Sequence, residues 1–247
     1  MGVVAGRRRA WLVWAGAGMV FAAGCGGGDA SHAESERVGP AAYANAGAVP
    51  EQLGLDGTTI SVGDPKAAVT LHLLEDPRCP SCEAFERTGG GPALAAAVVR
   101  REVRAQYTMA SFLDDRLGGG GSKRAVNALR AALEAGKFAE YHAVLYGNQP
   151  PEESDGYTTA RLLELASRVP GLRGAAFDTA VKTMKYRAFV RASEEAYEAK
   201  GTKEGFGPGT PSLEIDGYPV PEASRGLLYD AKSFTALLRE LRDAHVS

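Results

Sequence analysis

Leu73-Leu-Glu-Asp-Pro-Arg-Cys-Pro-Ser-Cys82 joins the end of an apolar run to two cysteines three residues apart, and the rest of the chain is read outward from it. The run itself, Val69-Thr-Leu-His-Leu-Leu74, is nearly continuous in apolar character, as expected of a central strand buried on both faces. Pro80 suits the first position of a helix, where a missing N–H costs nothing, so a helix is predicted to open at about Cys79, with that cysteine near the N-cap. Free backbone N–H groups and the helix dipole at that end favour a thiolate. A thiol of lowered pKa attacks and leaves readily, and thiol–disulfide exchange requires both. Cys82 lies one helical turn further on, close enough to form a disulfide with little backbone movement, and is the natural resolving cysteine. So small a ring constrains the unfolded chain little, which argues for a labile, exchanging bond over a structural staple.

The same pair could serve a metal. Half a zinc site looks alike in isolation, but the chain has no second CxxC, and its four histidines are scattered at 32, 72, 142 and 245. A soft-metal carrier, for example for Cu(I), needs only two thiolates and stays open as a non-enzymatic alternative. The expectation is a redox pair that needs no metal and no cofactor beyond its own disulfide.

Outward from the motif, residues 58–62 and 68–74 are β-rich and separated by Gly63-Asp64-Pro65, which is turn chemistry. A helix from about residue 79, another over 92–100 and a strand over about 103–110 complete a β-α-β unit. Gly118 to Gly121 then break the chain. Val126, Leu129 and Leu133, then Phe138, Tyr141 and Leu145, then Leu162, Leu163, Leu165 and Val169 recur at helical spacing, and residues 189–200 read as a further helix. Alternation returns in Ser212-Leu-Glu-Ile-Asp216, and residues 230–244 close the chain as a helix. Arg100, Arg101 and Arg104 read as a solvated face, and His72 as a structural strand residue.

The first 24 residues differ from all others. Arg7, Arg8 and Arg9 precede an uncharged stretch over 10–23 that ends in small residues, the pattern of a secretory signal peptide and too short for a comfortable membrane span. Phe21-Ala-Ala-Gly-Cys25 resembles a bacterial lipoprotein signal, with Ala22 where Leu is usual, which makes Cys25 the expected lipidation site. Arg8-Arg9-Ala10-Trp11-Leu12 also resembles a twin-arginine export signal. Residues 25–49 carry almost no large apolar side chain and read as a disordered tether. The chain is thus expected outside the cytoplasm, anchored to the cell membrane by lipid or otherwise secreted. Its 247 residues, 45 % hydrophobic and 23 % charged, suffice for one substantial domain over 50–247. A formal charge of −2 gives no basic field for nucleic acid, which is excluded as a partner.

Three stretches carry a family resemblance: Leu73 to Cys82, Gly136-Lys-Phe-Ala-Glu-Tyr-His-Ala-Val-Leu-Tyr146, and Gly209-Thr-Pro-Ser-Leu-Glu-Ile-Asp-Gly217. Together and in this order they resemble the DsbA-like thioredoxin-fold oxidoreductases of bacterial envelopes. The resemblance implies an α/β fold of thioredoxin type with a helical insertion over about 122–200. It implies that Cys79 and Cys82 exchange disulfides with exported protein substrates, more in the oxidising than the reducing direction, and that a membrane redox partner recycles the pair. It also implies that Pro211 is cis and faces the CxxC, that the backbone of Thr210 pairs with substrate, and that Pro80 and Ser81 border the substrate and help set the potential. Family members often hold a buried acid six residues before the first cysteine. Here that place is Leu73; Glu75 or Asp76 could substitute, although acids at a strand end are more often solvated.

Overall fold

The computed structural model of the chain describes residues 41–201 and 207–246. The expected leader and the lipid acceptor Cys25 lie outside the described residues. One mixed sheet contains β1 (Glu51–Leu53), β2 (Ile60–Val62), β3 (Val69–Glu75), β4 (Val103–Met109), β5 (Ser212–Ile215) and β6 (Tyr218–Pro219), in the order β1-β2-β4-β3-β5-β6. β3 and β4 run parallel and the other neighbours antiparallel. β3 is central: Leu71 sits between Ala105 and Ile215, and Leu73 between Tyr107 and Leu213. Its continuous apolar run follows from that position, since Val69, Leu71, Leu73 and Leu74 are all buried.

Between β3 and β4 come α1 (Pro80–Arg87) and α2 (Gly91–Val99), and the chain closes with α9 (Ala231–Val246), which packs on α2 and β3. The helical insertion between β4 and β5 holds α3 (Leu113–Leu117), α4 (Gly121–Glu134), α5 (Phe138–Tyr146), α6 (Thr159–Ala166), α7 (Ala175–Lys182) and α8 (Arg187–Glu198). It begins earlier than the periodicity suggests, because α3 is a single short turn placed before the glycine break. Gly118 and Gly119 both have φ near the left-handed range, at 81° and 90°, and deliver the chain into α4. α4 is the hub of the insertion. It buries Ala125, Val126, Ala128, Leu129 and Ala132 against α5, α7 and α8.

The expected tether is too long at its carboxyl end. Within residues 41–49 the Tyr43 N–H donates to the Val99 carbonyl, the Arg101 guanidinium lies over the Tyr43 ring, and Val49 is buried in the core. One aromatic and one β-branched side chain anchor a stretch that composition alone marks as featureless. Arg101 is correspondingly no plain surface charge, since it also pairs with Asp64 at 2.6 Å.

The turn that leads from β3 into α1 is held by the insertion. Asp76 accepts hydrogen bonds from the Arg78 N–H at 2.9 Å, the Leu113 N–H at 3.0 Å and the Ser122 hydroxyl at 2.6 Å. Arg78 is 1 % exposed and donates to Asp114 at 2.9 Å and to the carbonyls of Gly118 and Glu152. Gln149, just beyond α5, donates to the carbonyls of Pro77 and Cys79. Removing one partner of a buried ion pair strands the other charge without water. Arg78→Leu is therefore expected to destabilise the protein by about 3–5 kcal/mol. The double change Arg78→Leu with Asp114→Leu should recover part of that loss, as read by urea unfolding of the two variants.

Candidate active site

Cys79 occupies the N-cap of α1 with extended backbone (φ −73°, ψ 118°), and Pro80 follows at the first helical position, as the sequence predicts. β3 delivers the chain there, and the Cys79 N–H is fixed by the Asp76 carbonyl at 2.9 Å. Cys82 is one turn further on, and both cysteines are free thiols. Their surroundings differ sharply. Cys79 is 8 % exposed, whereas Cys82 is wholly buried with Tyr146, Leu113 and Phe112 around the pair.

The Thr210–Pro211 peptide bond is cis, and the Cys79 Sγ lies 3.3 Å from the Thr210 carbonyl as its hydrogen-bond donor. β5 begins at Ser212 beside β3, which brings this loop across from the start of α1. The structure thus places Thr210 against Cys79, with Pro80 and Ser81 opening the helix next to it. Tyr229 borders Ser81, is 42 % exposed and feels the charge of both cysteines.

The Cys79 thiol is brought down to about 6, first by the hydrogen bond that Cys82 donates to it. Burial opposes this, and the Thr210 side chain with the N–H groups of Cys82 and Ser81 assist it. The free donors of a helix start therefore act as their position predicts. Burial pushes the Cys82 thiol well above its ordinary range, and donation to Cys79 and the charges of Cys79 and Glu75 add to that. One sulfur of the pair is thus disposed to ionise and the other to keep its proton.

Behind the cysteines lies a group of acids. Glu75 and Asp76 are both fully buried, contrary to the solvated reading of a strand end, because α4 and α5 cover that end of β3. Burial pushes Asp76 up to about 7 and Glu75 up to about 8, and the Cys79 charge raises both. His142, one of four histidines scattered in the sequence, comes from α5 and places Nε2 at 2.9 Å from Glu75 Oε2. Its Nδ1 lies 3.9 Å from Glu86 Oε2 on α1. Burial raises Glu86 to about 8, and the Glu75 charge adds to it. Glu75, Glu86 and His142 could each offer one ligand atom within 4.8 Å of the others. The imidazole, however, turns a different nitrogen toward each acid, which suits proton sharing better than a metal that takes one nitrogen.

Sequence reasoning missed Arg78, Glu86, His142 and Gln149. Their partners stand 36 to 74 residues away, apart from the Glu75–Glu86 contact, and no local pattern announces them. His72 stays out of the site: it contacts Thr108 at 2.8 Å and Glu214 at 3.3 Å.

A family model described as Thioredoxin matches residues 55–227. Among solved structures, BdbD from Bacillus subtilis aligns over 83 % of this chain and 100 % of its own, with TM-score 0.61 and 16 % identity. MdbA, a thiol-disulfide oxidoreductase from Corynebacterium diphtheriae, aligns over 81 % and 95 % with TM-score 0.59 and 16 % identity. Reduced DsbA from Mycobacterium tuberculosis aligns over 73 % and 94 % with TM-score 0.54 and 22 % identity. The fold is the one these proteins share. A curated relative, the serine/threonine-protein kinase PknE of Mycobacterium tuberculosis, is 30 % identical over 161 residues, 62 % of this chain. The chain spans only 27 % of that relative's length.

The contrast between the two sulfurs sets a measurable expectation. Alkylation of the reduced protein by iodoacetamide should be confined to Cys79 and should rise with pH through a midpoint near 6. An ordinary cysteine titrates at about 8.5. Mass spectrometry of peptides from the native and the unfolded protein checks this, with Cys82 labelled only after unfolding.

Proposed function

This chain belongs to the thioredoxin family, and from that premise we propose that it is a thiol–disulfide oxidoreductase that exchanges disulfides with exported proteins, chiefly as an oxidant. The observation that carries the reading is the division of labour within the CxxC: a partly accessible thiol brought down to about 6 beside a wholly buried one that holds its proton. Nucleophilic attack, leaving-group quality and resolution need that difference, whereas a two-thiolate metal carrier would favour two sulfurs of like ionisation.

In the oxidising direction a substrate thiolate attacks Cys79 of the disulfide. The Cys79–Cys82 bond breaks, and its electron pair leaves on Cys82, which takes a proton. A second substrate thiolate then attacks the sulfur of the first substrate cysteine, and Cys79 departs as a thiolate. The substrate is oxidised by two electrons and the protein is reduced. A Cys79 thiolate of low pKa stabilises that reduced product, which favours the oxidising direction. In the reducing direction Cys79 attacks a substrate disulfide and Cys82, after losing its proton, resolves the mixed disulfide.

The Thr210 carbonyl lies against Cys79 and Pro211 follows it through a cis bond, and we assign both with Pro80 and Ser81 to substrate contact; the Thr210 carbonyl, here bonded to the thiol, is available to an extended chain once the thiol ionises. Glu75, wholly buried and close enough for its charge to act on Cys82, is assigned as the group that exchanges the Cys82 proton. The leader-like residues 1–24 support a place outside the cytoplasm with Cys25 as the lipid anchor, and recycling then falls to a membrane redox partner.

Equilibration of the reduced and oxidised protein in glutathione buffers tests the direction. An oxidant should poise near about −120 mV and a reductase near about −270 mV. Oxidation of a reduced client by the oxidised protein should be lost in Cys79→Ser. Stoichiometric Cu(I) binding with no client oxidation or insulin reduction would instead mark a carrier.

A further inference from the structure

Glu75 raises a transport problem. It is 0 % exposed, as is Cys82, and a bound substrate would cover the Cys79 side, so a proton passing between Cys82 and Glu75 needs another way to water. The surroundings of Glu75 offer one. A cavity of about 140 Å³ lies on the far side, lined by Ala46, Val49, Tyr107, Glu86, Glu140 and His142, among others, and Glu75 does not reach it. Glu86 and His142 do, and both also contact Glu75. The imidazole spans the gap with Nε2 toward Glu75 and Nδ1 toward Glu86. Oxygen Oε1 of each glutamate has no hydrogen-bond partner among the described residues. Buried polar atoms of that kind call for a mobile proton or ordered water, and the cavity exceeds the roughly 30 Å³ that one water takes in the liquid.

We propose that Glu86 and His142 form an internal proton route that connects Glu75 to the cavity beneath residues 46–49, so that the proton of Cys82 is exchanged at the back of the site and not across the substrate face. The inference rests on the assignment of Cys79 and Cys82 as the exchanging pair and of Glu75 as the partner of Cys82. When Cys82 departs as a thiolate it takes a proton from Glu75; His142 gives its Nε2 proton to Glu75 and receives another at Nδ1 from Glu86, which is refilled from the cavity. Loss of a proton by Cys82 runs the same transfers backwards, and no electron moves along the route. Glu86 and His142 touch no reacting sulfur and are positioning residues.

Other titratable and charged groups face the imidazole. Tyr107 on β4 lies at 4.9 Å between ring centroids and Tyr146 on α5 at 4.8 Å, and Glu51 of β1 acts through its charge. Burial holds both tyrosines well above their ordinary range, so neither titrates under the conditions of the test. Glu51 is engaged elsewhere, accepting the N–H groups of Phe138 and Ala139 at 2.7 Å at the start of α5. Glu140, also in the cavity wall, pairs with Lys137 at 3.1 Å.

The test is the reaction of the full reduced chain with 5,5′-dithiobis(2-nitrobenzoate), which releases one thionitrobenzoate when Cys79 attacks and a second when Cys82 resolves the adduct. His142→Ala should leave the first phase at its wild-type rate and slow the second by about a hundredfold. Free imidazole, which fits the enlarged cavity and can hand a proton from one nitrogen to the other, should restore the second phase. 1-Methylimidazole, similar in shape but with one nitrogen blocked, should not. Restoration by both would mean that His142 only fills space, and an unslowed second phase would mean that the proton travels elsewhere; either overturns the route. Glu86→Gln, which keeps the side-chain shape, should slow the second phase alone and serves as the test if His142→Ala does not fold. Loss of the first phase in the wild-type chain is a separate failure, that of Cys79 as the nucleophile.

Discussion

The carboxylate of Asp76 is the constraint on which the site depends. It closes the turn after β3 by accepting the Arg78 N–H, and at the same time it holds the first residue of α3 and the first turn of α4. A polar group removed from water is tolerated when its hydrogen-bonding capacity is filled, and here the filling comes from both halves of the fold. The central sheet and the insertion are thus joined through the three residues that precede Cys79. Arg78 repeats the arrangement with the opposite charge, reaching Asp114 and two carbonyls of the insertion. Placement of the first cysteine is a tertiary property, although its helix start is a local one.

That division explains how far the sequence could be read. The strand before the CxxC, the proline that opens α1 and the glycine break at 118–121 all act over a few residues, and each is where the pattern predicts. The cis peptide before Pro211 was legible only through the resemblance, since nothing in Gly209-Thr-Pro-Ser212 alone distinguishes it from a trans bond. α7 went unread because Ala175-Ala-Phe-Asp-Thr-Ala-Val-Lys182 has a small apolar stripe that gains meaning only against α4 and α6. The acids were misread for a related reason. Glu75 ends a strand, and strand ends meet water unless something folds over them; what does so here is α5, whose His142 is 67 residues away.

Opposite electrostatic treatment of two like groups at helical spacing follows from the same architecture. The N-cap position gives one sulfur several donors and a little solvent. One turn of helix carries the other into a pocket of apolar side chains and carboxyls, where charge is disfavoured. The N-cap half of this difference is local, whereas the burial of Cys82 is not encoded by residue type or spacing. It arises because α1 points into the domain from its first turn onward, and because the insertion closes the space behind it.

The edges of the sheet carry a further consequence. β1 has three residues and β6 only two, the last of them Pro219, so the outermost strands offer very little unpaired backbone. A protein that meets other chains before they have folded runs the risk of acting as a template, with a long open edge capturing exposed segments and seeding aggregates. Such short margins remove that hazard at both sides of the sheet. The backbone group that does stand open to change is the Thr210 carbonyl, set by β5 beside the Cys79 sulfur and away from either margin.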